Sequence, residues 1–251
     1  MSGIKPIIIF INNKATKVDE ILLNENWCLE QLDPEISNIH RIIVSGKRTG
    51  WIVKVYSMRD RAERESNYLY KLSNVSGVPK ILASGIGTDF SYVIMSEAPG
   101  VDLFTYAKTE NISEKECKHI ARKILIVLKE IHACGIIHTD MKPENVMYDV
   151  KSDTITIIDF EDRGTEQYIS PEQLCSKVLT PKTDIWSLGV LLHDLVFGYV
   201  PFPKQFDIVR MTPKFSPECI GEFRIFLEYI FQSEKDRPTA EEALLHIWFC
   251  V

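Results

Sequence analysis

At 251 residues, with 45% apolar and 25% charged side chains, the chain has the balance of a globular protein able to bury a sizeable core, as one domain or two small lobes. A formal net charge of −6 argues against a nucleic-acid coat or a binder of anionic membranes. Six cysteines (Cys28, Cys117, Cys134, Cys175, Cys219, Cys250) are scattered without a C-x-x-C pair or metal-ligand spacing, and read as reduced thiols.

The first apolar run, Ile7-Ile8-Ile9-Phe10-Ile11, is too short for a signal core or a membrane span and lacks a small-residue cleavage site; it predicts a strand. No later segment is long and apolar enough to cross a bilayer, so a cytosolic or nuclear protein without membrane attachment is expected. Asn111-Ile112-Ser113 is then a chance sequon. Ile39 to Val44 and Trp51 to Tyr56 are β-branched runs expected to form a hairpin through Ser45–Gly50. Arg59 to Leu72 has helical spacing, and Pro79 to Gly85 and Phe90 to Met95 read as two more strands. Ala98-Pro99-Gly100 is a breaker cluster suited to a hinge. Ser113 with Glu116 predicts a capping box that opens an amphipathic helix carrying Cys117, Ile120, Ile124, Val127, Leu128 and Ile131 on one face. The reading is α+β: a small β-rich lobe over residues 1–97, with residues 1–38 divergent, and a mainly helical lobe over residues 98–251.

The chemistry-bearing stretch follows that helix. His138-Thr139-Asp140-Met141-Lys142-Pro143-Glu144-Asn145 is succeeded, after a β-rich run, by Asp159-Phe160-Glu161. Two short segments thus supply carboxylates, an amide oxygen and a lysine, the groups that phosphoryl transfer needs to orient a hydroxyl, hold a hard cation and balance phosphate charge.

The order H-x-D-x-K-x-x-N followed by D-F resembles the catalytic and metal loops of eukaryotic protein kinases. The likeness extends through Gly164-Thr165 to Ser170-Pro171-Glu172, which resembles the end of an activation segment, and through Asp184-Ile185-Trp186 to Gly189, whose aspartate would brace the catalytic loop. Arg237-Pro238-Thr239 and His246 to Phe249 resemble the closing motifs, so the pattern covers the chain from about Trp51 onward. The trimmed loops are similar to reduced kinases carried by large DNA viruses.

The resemblance implies a bilobal serine/threonine protein kinase using ATP and Mg²⁺ on a protein substrate with a serine or threonine acceptor, and no nucleic-acid partner. Lys54 would contact the α- and β-phosphates, held by Glu65, with Glu63 a weaker rival. Backbone groups of Glu97 and Ala98 would bind the adenine edge, with Met95 at the back of the pocket. Asp140 would orient or deprotonate the acceptor hydroxyl, Lys142 would neutralise the γ-phosphate, and Asn145 and Asp159 would hold Mg²⁺. Glu172 and Arg237 would form a structural ion pair, and His138 would be structural. Asp102 reads either as a sensor of a basic substrate residue or as a solvated charge.

Four departures from the family pattern stand out. No glycine lies between Leu23 and His40, where a glycine-rich phosphate loop belongs; Ile52 replaces a small alanine; Glu161 replaces a glycine; and Thr139 replaces an arginine that usually receives a phosphate. The stretch from Asp159 to Glu172 is only 14 residues long. A short segment without a phosphate receptor implies a kinase that does not await activating phosphorylation. The alternative is a pseudokinase, a binding module for another kinase or signalling protein. A small-molecule phosphotransferase fits less well, because Ser170-Pro171-Glu172, Trp186 and Arg237 resemble protein kinases specifically.

Overall fold

The computed structural model describes residues 27–33, 36–86, 91–160, 164–175 and 178–250. The expected strand at Ile7–Ile11 and the substituted Glu161 lie outside them. The described chain divides into two compact units, one running to Asn74 and including Pro79–Ala98, the other formed by Val75–Val78 and Pro99 onward.

The first unit is a five-stranded antiparallel sheet with one helix. Strands β1 (Trp27–Asp33), β2 (Ile36–Val44), β3 (Lys47–Tyr56), β4 (Ile81–Ile86) and β5 (Ser91–Ser96) lie in the order β1-β2-β3-β5-β4. The β2–β3 turn is tighter than the sequence predicts. Val44 pairs with Lys47, so Ser45 and Gly46 alone make the bend, both at positive φ, and Lys47–Gly50 belong to the strand. Two positive-φ residues match the right-handed twist of a hairpin, which explains why two residues suffice. Register places Arg41 opposite Ile52 and Ile52 opposite Met95; in the next row Ile39 faces Lys54, and Lys54 faces Val93. Directly paired residues share a sheet face, so Ile52, Lys54 and Met95 lie on one side. The other side gathers Ile42, Val53, Ala83, Tyr92 and Ile94 into a buried cluster.

Helix α1 (Arg59–Lys71) buries Ala62, Glu65, Ser66 and Leu69, a spacing of three and four that puts one glutamate among its buried positions.

In the second unit, β6 (Val101–Asp102) pairs with β7 (Val146–Asp149), which pairs with β8 (Thr154–Ile157). Helix α2 (Leu103–Thr109) starts at Asp102, whose carboxylate accepts both the Thr105 amide and the Thr105 hydroxyl at 2.8 Å. Asp102 is therefore a helix cap. Helix α3 (Glu114–Ala133) buries the predicted apolar face. Its Ser113 cap accepts the Glu116 amide, but the Glu116 carboxylate takes the Tyr106 hydroxyl at 2.6 Å instead of closing the expected capping box.

Short helix α4 (Pro171–Leu174) precedes α5 (Lys182–Phe197), α6 (Gln205–Arg210), α7 (Gly221–Ile230) and α8 (Ala240–Leu244). Helix α5 is buried around most of its circumference. Its Trp186 stacks on Phe202 at 4.8 Å and meets Phe231 edge-on at 5.0 Å. Gly189 lets α7 approach, because a Cβ there would lie 2.7 Å from Ile230 and 2.8 Å from Phe231. The architecture is α+β, with a sheet-rich N-terminal part and a mainly helical C-terminal part, as the sequence predicts. Among the described residues no helix is long and apolar enough to cross a membrane.

Candidate active site

In the sheet unit, Lys54 Nζ lies 3.4 Å from Glu65 Oε2, with both side chains buried. A buried carboxylate on a helix needs a compensating cation, and strand β3 delivers one from the sheet face that α1 covers. Glu63 instead bonds Arg59 at 2.6 Å on the surface, which removes it as a rival. Met95 is buried at the end of β5. The Ser96 amide donates to Lys80 O and the Glu97 amide to Gly50 O, both at 2.8 Å, while the Arg41 guanidinium holds the Glu97 carboxylate at 2.8 Å. Ala98 carries the next amide, which has no acceptor among the described residues.

In the helical unit, residues 138–145 form a loop tied from several sides. Asp140 Oδ1 accepts the Thr165 hydroxyl at 2.8 Å, and Oδ2 accepts Lys142 Nζ at 2.9 Å and Asn145 Nδ2 at 3.1 Å. Lys142 Nζ also donates to Thr165 Oγ1 at 2.9 Å, and Asn145 Nδ2 to Asp140 O at 2.8 Å. Asn145 thus uses its amide nitrogen inside the loop, which leaves its oxygen as the group to present to a cation. Three of the predicted residues, Asp140, Lys142 and Asn145, are in direct contact, and Thr165 joins them.

Below this loop lies Asp184, fully buried near the start of α5. It accepts the His138 amide at 2.9 Å, the Thr139 amide at 2.8 Å and His132 Nε2 at 2.8 Å. Burial alone would raise its pKa, but the His132 contact, and then the backbone amide of His138, hold it below the ordinary carboxylate range. His138 is structural, as expected. Its Nδ1 accepts the Asp140 amide at 3.3 Å, its Nε2 donates to Ile158 O at 2.9 Å, and its ring packs against Phe160 at 4.8 Å. The Ile158 amide in turn donates to Asn145 O at 3.0 Å, which joins the two loops one residue before Asp159. Asp159 itself sits at φ +69°, a left-handed backbone that turns it out of the β8 direction.

The segment after Gly164 closes onto the same loop. Tyr168 is buried with its hydroxyl on Asp194 at 2.7 Å, and Ser170 is fully buried and caps α4. Glu172 and Arg237 form the expected buried pair at 2.5 and 3.2 Å; Arg237 also donates to Lys182 O and Gln232 O and lies 5.0 Å over the Trp186 ring. Burial presses the Glu172 pKa upward, and the Arg237 guanidinium more than reverses it.

The protein kinase domain model matches residues 41–249. The chain belongs to the protein kinase domain family. Serine/threonine-protein kinase pim-2 of Danio rerio is 30% identical to this kinase domain over 174 residues, covering 62% of the chain and 56% of that protein. Death-associated protein kinase dapk-1 of Caenorhabditis elegans is 29% identical over 216 residues, 76% of the chain and 15% of that protein. Calcium/calmodulin-dependent protein kinase type 1B of Homo sapiens is 30% identical over 183 residues, 62% of the chain and 53% of that protein. Such relatives place the chain with the eukaryotic-type serine/threonine kinases, and it spans about half or less of their length.

The family uses ATP and Mg²⁺, and the donors present suit them. Asn145 and Asp159 offer hard oxygens, and among the described residues no group of three or more His, Cys, Asp or Glu forms a closed metal cage. That set fits an ion held by one or two protein oxygens plus phosphate. Two contributors were not singled out as site residues in the sequence. Thr165 was signalled by its place in a Gly-Thr pair ahead of Ser-Pro-Glu; Gln173, which donates to Thr139 O at 2.7 Å, had no local signal.

Proposed function

We propose that this domain is an active serine/threonine protein kinase that moves the γ-phosphate of Mg²⁺-ATP to protein hydroxyls and needs no phosphate on its own activation segment. The observation that carries the reading is the contact network of Asp140, Lys142, Asn145 and Thr165. The carboxylate of Asp140 already accepts an alcohol hydroxyl, that of Thr165, at 2.8 Å, the contact an acceptor serine or threonine requires.

Bound Mg²⁺-ATP supplies the phosphoryl group and neutralises its developing charge. The chain's own residues do the rest. Asp140 orients the acceptor hydroxyl and takes its proton. Lys142, beside it, balances charge on the transferred group, and Lys54, aimed by Glu65, contacts the α- and β-phosphates. Asn145 and Asp159 would hold the cation through oxygen. The Ala98 amide binds the base edge together with the Glu97 carbonyl and with Met95 behind; the Glu97 amide is committed to Gly50.

Independence from activating phosphorylation is supported by the fate of the three candidate hydroxyls. Thr165 is bonded within the loop, Tyr168 is buried on Asp194, and Ser170 is a buried helix cap. The test is transfer of labelled γ-phosphate to a generic acceptor protein by wild type, Asp140→Asn and Lys54→Met. Transfer by wild type and its loss in both variants is expected.

One observation favours a pseudokinase instead. The sequence from β1 through β2, residues 27–44, contains no glycine that would let backbone N–H groups approach a phosphate. Under that reading, titration with Mg²⁺-ATP gives no saturable binding.

A further inference from the structure

Thr139 immediately precedes Asp140 and sits at φ +68°. A β-branched residue in the left-handed region is strained and persists only where its surroundings enforce it. Both of its backbone polar groups are held. Its amide donates to Asp184 Oδ1 at 2.8 Å, and its carbonyl accepts Gln173 Nε2 at 2.7 Å. The other end of the same amide, Gln173 Oε1, accepts the Ser170 N–H at 3.1 Å, and the Gln173 backbone N–H donates to Ser170 Oγ at 3.2 Å. Gln173 therefore bridges the activation segment's end to the residue that aims Asp140.

The surroundings are shaped for this bridge. Gly164 packs against it: a Cβ there would lie 2.4 Å from Ile169, 3.0 Å from Gln173 Nε2 and 3.5 Å from Thr139 O. Thr139 has no guanidinium with which to capture a phosphate; instead a neutral amide ties its carbonyl to the segment's end, beside the bonds from Thr165 to Asp140 and Lys142.

We propose that Gln173 is a positioning residue, a phosphate-free latch that fixes the left-handed Thr139 and so sets the Asp140 carboxylate for transfer. This rests on the kinase reading above and adds to it a route by which the segment is held in working order. Because Gln173 is also part of the α4 capping box, its two ends must be tested separately. Gln173→Glu keeps an oxygen to accept the Ser170 amide and replaces the donor to Thr139 O with a carboxylate oxygen that repels it. Gln173→Met removes both.

Two readouts are taken on each protein: kcat and KM for Mg²⁺-ATP in phosphate transfer, and hydrogen–deuterium exchange of the peptide spanning residues 136–146. For Gln173→Glu the latch predicts a kcat lower by about tenfold, the scale of one lost hydrogen bond, with KM for ATP unchanged, and faster exchange at 138–141 with the exchange of residues 171–175 unchanged. A purely capping role predicts the reverse, full kcat and unaltered loop exchange in Gln173→Glu with losses only in Gln173→Met, and that result overturns the proposal. If wild type transfers no phosphate while loop exchange still rises in Gln173→Glu, the latch stands and the kinase reading falls.

Discussion

The helical unit and the sheet unit hold their parts of the candidate site in different ways. Around Asp140, contacts of 2.8–3.1 Å run to Thr165, Lys142 and Asn145, and a second tier through Asp184 and His138 fixes the backbone beneath. In the sheet unit, Lys54 meets Glu65 at a longer 3.4 Å, and the sequence from β1 through β2 holds no glycine that would let a backbone close over phosphates. On the proposed reading, the chain keeps the machinery that orients the hydroxyl and lacks the glycines that would wrap the nucleotide. The lesson is that the chemistry demands fixed geometry at the hydroxyl and base, whereas phosphate binding can be spread over cations and metal at some cost in affinity.

Substitutions can break this comparison from either side. The largest effect is expected for Asp140→Asn, which keeps the shape of the loop but removes the proton acceptor. Transfer should fall by about 10²- to 10⁴-fold while the Kd for Mg²⁺-ATP, measured by titration calorimetry, stays within twofold. A parallel loss of nucleotide binding would contradict the division of labour. Next in size is the sheet unit's pair. Lys54→Met removes the cation facing a carboxylate that is 1% exposed, so folding stability should drop along with transfer. The double variant Lys54→Met with Glu65→Leu should regain stability in a denaturant titration and stay inactive, separating folding from function.

Arg237→Met tests the scaffold below the catalytic loop. Leaving Glu172 buried without its guanidinium should cost about 3–5 kcal/mol, read as a lower denaturation midpoint. A smaller, pH-dependent effect follows from Asp184 and Glu172. Burial opposes their ionisation, but His132 and the His138 amide in one case and Arg237 in the other hold both pKa values below their ordinary range. Folded-state pKa values lower than the unfolded ones stabilise the protein above about pH 4–5, the unfolded range, and that contribution is lost as pH falls through the depressed values. Thermal midpoints should therefore decline steadily below about pH 4, and Glu172→Gln combined with Arg237→Met should flatten the decline. The smallest effect is Asp102→Ala, the loss of a helix cap at about 1 kcal/mol, with no change in preference between basic and neutral acceptor peptides.

Much of this was readable in the residues, for physical reasons that differ by region. The catalytic loop was legible because its residue types are fixed by chemistry and lie within eight positions, His138 to Asn145. The Lys54–Glu65 pair could be placed because a strand lysine and a helix glutamate lie only eleven residues apart in the chain. The Ser45-Gly46 turn was read too long, since Lys47–Gly50 have turn-like composition but are held in the ladder by β2. Asp102 stayed open between two readings because an exposed acid and a helix cap look alike until Thr105 is seen bonding to it. Gln173 left no local trace at all: its partner, Thr139, lies 34 residues away, and only the fold brings them together.

On the proposed reading, the domain transfers phosphate as folded, with its activation segment unmodified. The most direct test is to treat the purified protein with phosphatase, establish by intact mass that it carries no phosphate, and measure initial rates of γ-phosphate transfer to an acceptor protein. The account predicts full transfer from the first turnover, with no lag and no change when Thr165, Tyr168 or Ser170 is later probed for phosphate. A rate that stays at the level of Asp140→Asn until one of those hydroxyls is phosphorylated would contradict it.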